Sequence, residues 1–240
     1  MKFDLYKYTN QGGRSYNEDS VASRTEGDEG IFVVADGLGG HAHGELASKC
    51  VCDTLTEAWH PGIEDPAAWL SENIAEANRR VLELQKEKNC VMKSTAVVLL
   101  IAGNSARWAH VGDSRLYYIH DDSISFITED HSVAYKKYKA GEIRRSEIAK
   151  DEDQSRLLKT LGSEERYEAQ LGPEGIELTP GDAFLLCSDG TWEFVHDEEV
   201  DIDYLKARNA KEWSEWMRLR IIDRMPGDND NLTLLTLICS

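Results

Sequence analysis

Nowhere in the 240 residues do about 18 uncharged apolar side chains follow one another, so no membrane-crossing helix and no membrane partner are expected. The opening residues, MKFDLYKYTN, lack the apolar core of a secretory leader, which points to a cytoplasmic protein. Basic side chains are also scarce. There are 27 against 44 acidic ones, and the formal charge of −17 sets up a field that repels nucleic acid. The five cysteines are odd in number and form no Cys-x-x-Cys pair, so they read as buried free thiols in a reducing compartment. No internal repeat, low-complexity run or Pro/Ser-rich linker divides the chain, which is therefore read as one domain over 1–240.

What is present is enough apolar material for a sizeable core, 41% of residues, which sets the chain apart from disordered sequences. β-Prone apolar runs occur at 30–35, 95–102, 105–111, 115–120, 123–128, 182–187 and 232–238. The central ones are joined by short turns, as antiparallel hairpins require. A helix is expected over about 45–59, with Ala47, Val51, Leu55 and Ala58 on one face. A second opens with Asp65 as N-cap and Pro66 at the first helical position, and carries Leu70, Ile74, Ala77, Val81 and Leu84. A third lies near 209–224, where Trp213, Trp216, Met217 and Ile221 are read as core. The class is α+β, helices layered on antiparallel sheet. Between about 131 and 160 a polar, helix-prone stretch interrupts the strands, either as a solvated helical pair or as a flap over a site.

One pattern recurs five times: an acid delivered beside a glycine or asparagine turn at the end of a strand. Its members are Glu18 with Asp19, then Asp36, Asp113, Asp189 and Asp230. A single Asp-Gly is usually just a turn. Repeated at the rims of apolar runs, with few cations nearby, such carboxylates need another partner, because a buried unpaired carboxylate is costly. Oxygen donors without cysteine select a hard ion, Mg²⁺ or Mn²⁺, over zinc. Two ions sharing a carboxylate acidify a water between them for attack on a phosphoryl group. Arg14, just before Glu18 and Asp19, offers a fork for phosphate oxygens or a surface ion pair.

The segments RSYNED, VVADGLGGHAHGE, STAVV, HVGDSR, LLCSDG and DNDNLT, in this order from Arg14 to Thr233, resemble the type 2C metal-dependent serine/threonine protein phosphatases, in particular the bacterial stand-alone members. The resemblance implies a four-layer α-β-β-α sandwich with the metals in a cleft at one edge. It implies that Asp36 bridges two Mn²⁺ or Mg²⁺ ions, that the Gly37 carbonyl joins the second, and that Asp189 and Asp230 complete the first. Asp113 would hold a weaker third ion with Asp189, Glu18 and Asp19 would act through waters, and Arg14 would bind the phosphate. The implied reaction is hydrolysis of phosphoserine and phosphothreonine by a metal-bridging hydroxide, and the implied partners are phosphorylated proteins and a cognate Ser/Thr kinase with its substrates.

Three departures from the family pattern stand out. Leu38 stands where animal members carry the histidine proposed as general acid, which leaves His41 as the candidate, with metal-bound water as the alternative donor. Lys93 replaces the glycine before Ser94 and Thr95. Gln154 and Ser155 replace an Arg-Asn pair late in the flap region, after a stretch at 140–143 that resembles the family's AGEI helix. Two other readings are carried: a catalytically weak phosphoprotein-binding pseudophosphatase, and a dinuclear hydrolase of small phosphoesters.

Overall fold

The strand Glu29–Gly39 sets the layering through its alternation. Ile31, Val33 and Ala35 point to one side and Phe32 and Val34 to the other, and all five are fully buried. A strand buried on both faces must lie between two other layers. The structure, a computed structural model, describes residues 1–39 and 43–240.

The chain begins with β1 (Phe3–Asn10), β2 (Asp19–Glu26), β3 (Glu29–Gly39), α1 (Gly44–Ala58) and α2 (Pro66–Lys88). The strands β4 (Met92–Ser94), β5 (Ala96–Ala102), β6 (Ser105–Val111), β7 (Arg115–His120) and β8 (Ser123–Ile127) follow. Then come α3 (Val133–Lys139), a 3-10 turn at Arg145–Lys150, β9 (Gln170–Leu171), β10 (Ile176–Glu177) and β11 (Ala183–Cys187). The last elements are α4 (Asp189–Trp192), α5 (Asp197–Lys206), α6 (Ala210–Arg224) and β12 (Leu232–Cys239).

One sheet runs β1-β12-β11-β7-β8 and the other β10-β6-β5-β3-β2, with β4 on β3 and β9 on β6, and every pairing is antiparallel. Between the sheets lie Phe32, Leu99, Trp108, Tyr118, Phe184 and Leu235. Outside the second sheet, α1 and α2 contribute Val51, Leu55, Leu70, Ile74 and Val81. Outside the first, the later helices contribute Trp192, Val200, Trp213, Met217 and Ile221. Each large aliphatic side chain so buried stabilises by roughly 1.5–3 kcal/mol. The order helix, sheet, sheet, helix is the four-layer arrangement expected.

Helix starts follow the sequence signals. Asp65 Oδ1 accepts from the Ala67 and Ala68 amides at 3.1 and 3.0 Å, with Pro66 at the first position of α2. Asn209 caps α6 through Glu212 N at 2.9 Å. Three expectations need correction. Trp213 is core, but Trp216 is 42% exposed, because it lies three residues on, off the stripe formed by Trp213, Met217 and Ile221. Residues 140–143 form no helix: Ala140 is the C-cap of α3, and Gly141, at φ 76°, turns the chain away. All five cysteines are free, but Cys50 and Cys90 are only partly buried.

A pH-dependent contact tests the far end of the sandwich. His120 Nδ1 donates to Asp182 Oδ1 at 2.7 Å, and this bond and the carboxylate's charge hold the imidazole pKa above its ordinary value. Stability from a raised histidine is fully present below the unfolded pKa, about 6.5, and is lost as pH rises through the folded one. His120 is 37% exposed, so solvent screens the pair. His120→Asn is therefore expected to lower the melting temperature at pH 6 by about 2 °C or less, and by still less at pH 8.5, in paired thermal scans.

Candidate metal centre

Topology brings the acids to one end of the sandwich. Asp36 lies near the C-terminal end of β3 and pairs in register with Asp19, the first residue of β2. In the same sheet β5 begins and β6 ends at this level, with Ala96 opposite Val111, and Asp113 stands in the turn that leaves β6. In the other sheet, Cys187 pairs with both Leu234 and Arg115. Asp189 just after β11, Asp230 just before β12 and Asp113 just before β7 therefore share that end too.

Hydrogen bonds tie the sheets together there. Ser188 Oγ donates to Asp19 Oδ2 at 2.7 Å and accepts from Thr233 N at 3.1 Å. Asn231 Oδ1 accepts from Glu18 N at 2.7 Å, while its amide nitrogen donates to the Gln11 and Tyr16 carbonyls. The backbone of Asp36 is held at both ends: its amide donates to Thr95 Oγ1 at 2.9 Å, and its carbonyl accepts from Thr95 N at 2.8 Å. Trp192 Nε1 donates to the Asp113 carbonyl at 2.9 Å.

Close backbone approach requires glycine at two points. A Cβ on Gly37 would lie 2.1 Å from the Gly44 carbonyl oxygen, and one on Gly190 would lie 2.1 Å from that of Asn231. The first contact seats the N-terminus of α1 beside Asp36, where Gly44 N donates to Glu18 Oε1 at 3.0 Å. The second presses Asp189 towards Asp230.

The carboxyls repel one another. The pKa of Asp36 is driven well above the usual carboxylate range, first by burial and then by the charges of Asp189, Asp19, Asp113 and Asp230. Asp113 moves the same way through burial, Asp189 and Asp130. Burial pushes Asp19 up to about 7, partly offset by Ser188 and Thr233. Burial, then Asp230, pushes Asp189 up to about 6, against the Gly190 amide that donates to its Oδ1 at 2.7 Å. Glu18 is raised by burial, against the Gly44 amide. Among the described residues the cluster's one guanidinium contact is Arg14, whose Nη2 donates to Asp230 Oδ2 at 2.8 Å with both side chains exposed.

These residues fit a hard cation. Asp19 Oδ1 is buried without a hydrogen-bond partner, the donors are all oxygen, and Asp36 and Asp189 keep part of their surface open. Among the described residues no three His, Cys, Asp or Glu groups already encircle one point.

His41, the candidate acid, lies outside the described residues. Sequence reasoning missed Glu193, which stands four residues after Asp189; burial and the charges of Asp189 and Asp230 push it up to about 8. Helical spacing from Asp189 was the available signal. Trp192, three residues after Asp189, and Asn231, next to Asp230, were missed as braces because their function is a backbone contact distant in sequence.

A family profile described as Protein phosphatase 2C matches residues 9–218. The serine/threonine phosphatase stp of Listeria welshimeri is 30% identical over 231 residues, covering 92% of this chain and 90% of that protein. Among solved structures, serine/threonine phosphatase Stp1 from Staphylococcus aureus superposes with a TM-score of 0.87 at 28% identity, covering 100% of this chain and 96% of that one. The catalytic domain of the serine threonine protein phosphatase PstP, in complex with two manganese ions, superposes with a TM-score of 0.83 at 28% identity, covering 98% and 97%. With the acids of both sheets gathered at one end, and with matches of this extent, the chain belongs to the protein phosphatase 2C family, the metal-dependent phosphatases of serine and threonine.

Proposed function

We propose that the enzyme removes phosphate from phosphoserine and phosphothreonine of proteins, with Asp36, the Gly37 carbonyl, Asp189 and Asp230 holding two Mn²⁺ or Mg²⁺ ions. Asp113 with Asp189 would hold a third, weaker ion, and Glu18 and Asp19 would act through waters. Ions bound there would polarise phosphoryl oxygens and acidify water. The observation that carries this reading is the convergence of mutually repelling carboxyls at one end of the sandwich, with the exposed Arg14 guanidinium bonded to one of them. Arg14, already oriented by Asp230, would grip two phosphate oxygens and aim the ester at the acids. The Ser94, Thr95 and Trp192 contacts keep Asp36 and Asp113 from turning outward. His41 remains the candidate donor of the proton to the departing alkoxide. The 131–160 segment would act as the flap. A Ser/Thr kinase whose products the enzyme reverses is the proposed partner, in the cytoplasm.

The test is hydrolysis of a phosphothreonine peptide with Mn²⁺, with chelator, and in Asp189→Ala. Turnover that survives chelation or the substitution would overturn the mechanism, and faster turnover of nucleotides than of peptide would favour a small-ester hydrolase. Arg14→Ala is expected to raise KM for the peptide about 10- to 100-fold, the worth of a charged hydrogen-bonded contact, with Mn²⁺ affinity nearly unchanged. Unaltered steady-state kinetics would remove the role.

A further inference from the structure

A basic hollow lies beside the acid cluster. It is a cavity of about 440 Å³ between α3 and the segment that returns to β9, and Lys136, Lys139, Lys159 and Arg166 line it. In a chain of net charge −17 this local excess of cations is unusual. Most of the hollow's acids are already engaged: Glu129 pairs with Lys139 at 2.8 Å and Asp130 with Arg115 at 2.7 Å, which leaves Glu168. Lys159 Nζ donates to the Glu168 carbonyl at 3.2 Å. Among the described residues Lys136, Lys159 and Arg166 have no carboxylate within ion-pair distance, so three cations there face one free acid.

The floor of the hollow is rigid and connected to the catalytic end. His131 stacks on His110 with ring centroids 4.7 Å apart and planes 4° from parallel. His131 Nδ1 accepts from Gly112 N at 3.1 Å, which fixes its proton on Nε2, and Nε2 donates to Gln170 Oε1 at 3.1 Å. Gly112 immediately precedes Asp113. Arg166 also lines a second hollow of about 490 Å³ that contains Lys93, with Glu164 and Glu165 along it. Lys93 pairs with Leu38, the residue after Gly37, so the second hollow adjoins the strand end at Asp36, and Arg166 lines both hollows.

We propose that the hollow under α3 receives an acidic segment of the phosphoprotein substrate, so that the enzyme favours phosphorylated residues flanked by further carboxylates. This rests on the phosphatase reading. The chain's net charge of −17 repels an acidic peptide, and cations gathered to one side of the metal end offset that repulsion and fix the direction from which the peptide enters. The Lys93 substitution seen in the sequence is the near end of this path.

The test compares kcat/KM of the Mn²⁺-loaded enzyme on a phosphothreonine peptide with glutamates on both flanks, on the same peptide with alanines there, and on p-nitrophenyl phosphate. The same substrates are run with Lys136→Ala/Arg166→Ala, two exposed side chains outside the catalytic machinery. The wild type is expected to favour the acidic peptide about fivefold, mainly through KM, with the preference fading at high salt. The double variant should lose that preference while p-nitrophenyl phosphate turnover stays unchanged. Equal kcat/KM for the two peptides in the wild type, or a preference that survives the double substitution, overturns the proposal alone. Absence of turnover on all three substrates overturns the phosphatase reading, and this proposal with it.

Discussion

Asp36→Asn is expected to lower phosphopeptide turnover by about 10³-fold and to abolish tight Mn²⁺ uptake, while the chelator-treated protein melts no lower than the wild type. The two effects come from the same electrostatics. Four acids bear on Asp36 in a buried setting, so its charge is an expense to the fold unless a cation lies among them. Asparagine keeps the shape and removes that charge. The backbone anchors to Ser94 and Thr95 do not involve the side chain, so β3 keeps its course. Calorimetric Mn²⁺ titration and thermal scans with and without chelator measure both arms. Wild type should gain melting temperature with Mn²⁺ and the variant should not, since a ligand stabilises only the form that binds it. Retained turnover, or a marked loss of stability under chelation, would contradict the assignment.

Arg115→Met is expected to have the largest effect on stability, lowering the melting temperature by roughly 10 °C. The Arg115 guanidinium is buried, donates to both oxygens of Asp130 at 2.8 and 2.7 Å, and stacks 3.7 Å over the Trp192 ring. Removing it leaves Asp130 charged and buried without its partner, which costs about 3–5 kcal/mol. Adding Asp130→Leu to the same chain should recover much of the loss, because the pair is then replaced by apolar volume. A double-mutant cycle in thermal and urea unfolding separates the pair from its parts. Trp192 also carries the hydrogen bond to the Asp113 carbonyl, so loosening the stack should slow turnover as well. If Arg115→Met melts like the wild type, the buried pair contributes nothing to stability.

Most strands legible in sequence were those buried on a face; β8, read at 123–128, is the exception, since none of its residues is fully buried. β6 and β7 came out at their observed bounds, and the apolar runs of β3, β5, β11 and β12 differed mainly at their ends. β1 and β2 were missed because FDLYKYTN and DSVASRTE are mostly partly exposed and carry little hydrophobic signal; β1 forms one sheet's edge and β2 the other's. The run 95–102 broke at Thr95: it stands opposite Asp36 in unbroken register and its amide still donates to the Asp36 carbonyl, but the Asp36 amide donates to Thr95 Oγ1 and the Thr95 carbonyl accepts from Ser94 Oγ, so the reciprocal ladder bond is lost. α5 escaped because DEEVDIDYLK buries only Val200 and Asp203. Acid positions were legible because each sits next to a turn signal. Their braces were not: Ser188 with Asp19 and Asn231 with Glu18 join residues more than 160 apart in sequence, a relation that no local pattern encodes.

The pairing of β1 with β12 extends through eight residue pairs, from Asn10 opposite Leu232 to Phe3 opposite Cys239, and Lys2 and Ser240 exchange both backbone hydrogen bonds beyond it. Asp230 adjoins one end of this zipper and both termini the other, roughly 27 Å along the strand. Lys2 and Ser240 therefore lie within reach of a bridge of a few residues, and a polypeptide of residues 1–240 joined there and reopened at the exposed Gly62 turn gives a circular permutant that leaves the reacting end untouched.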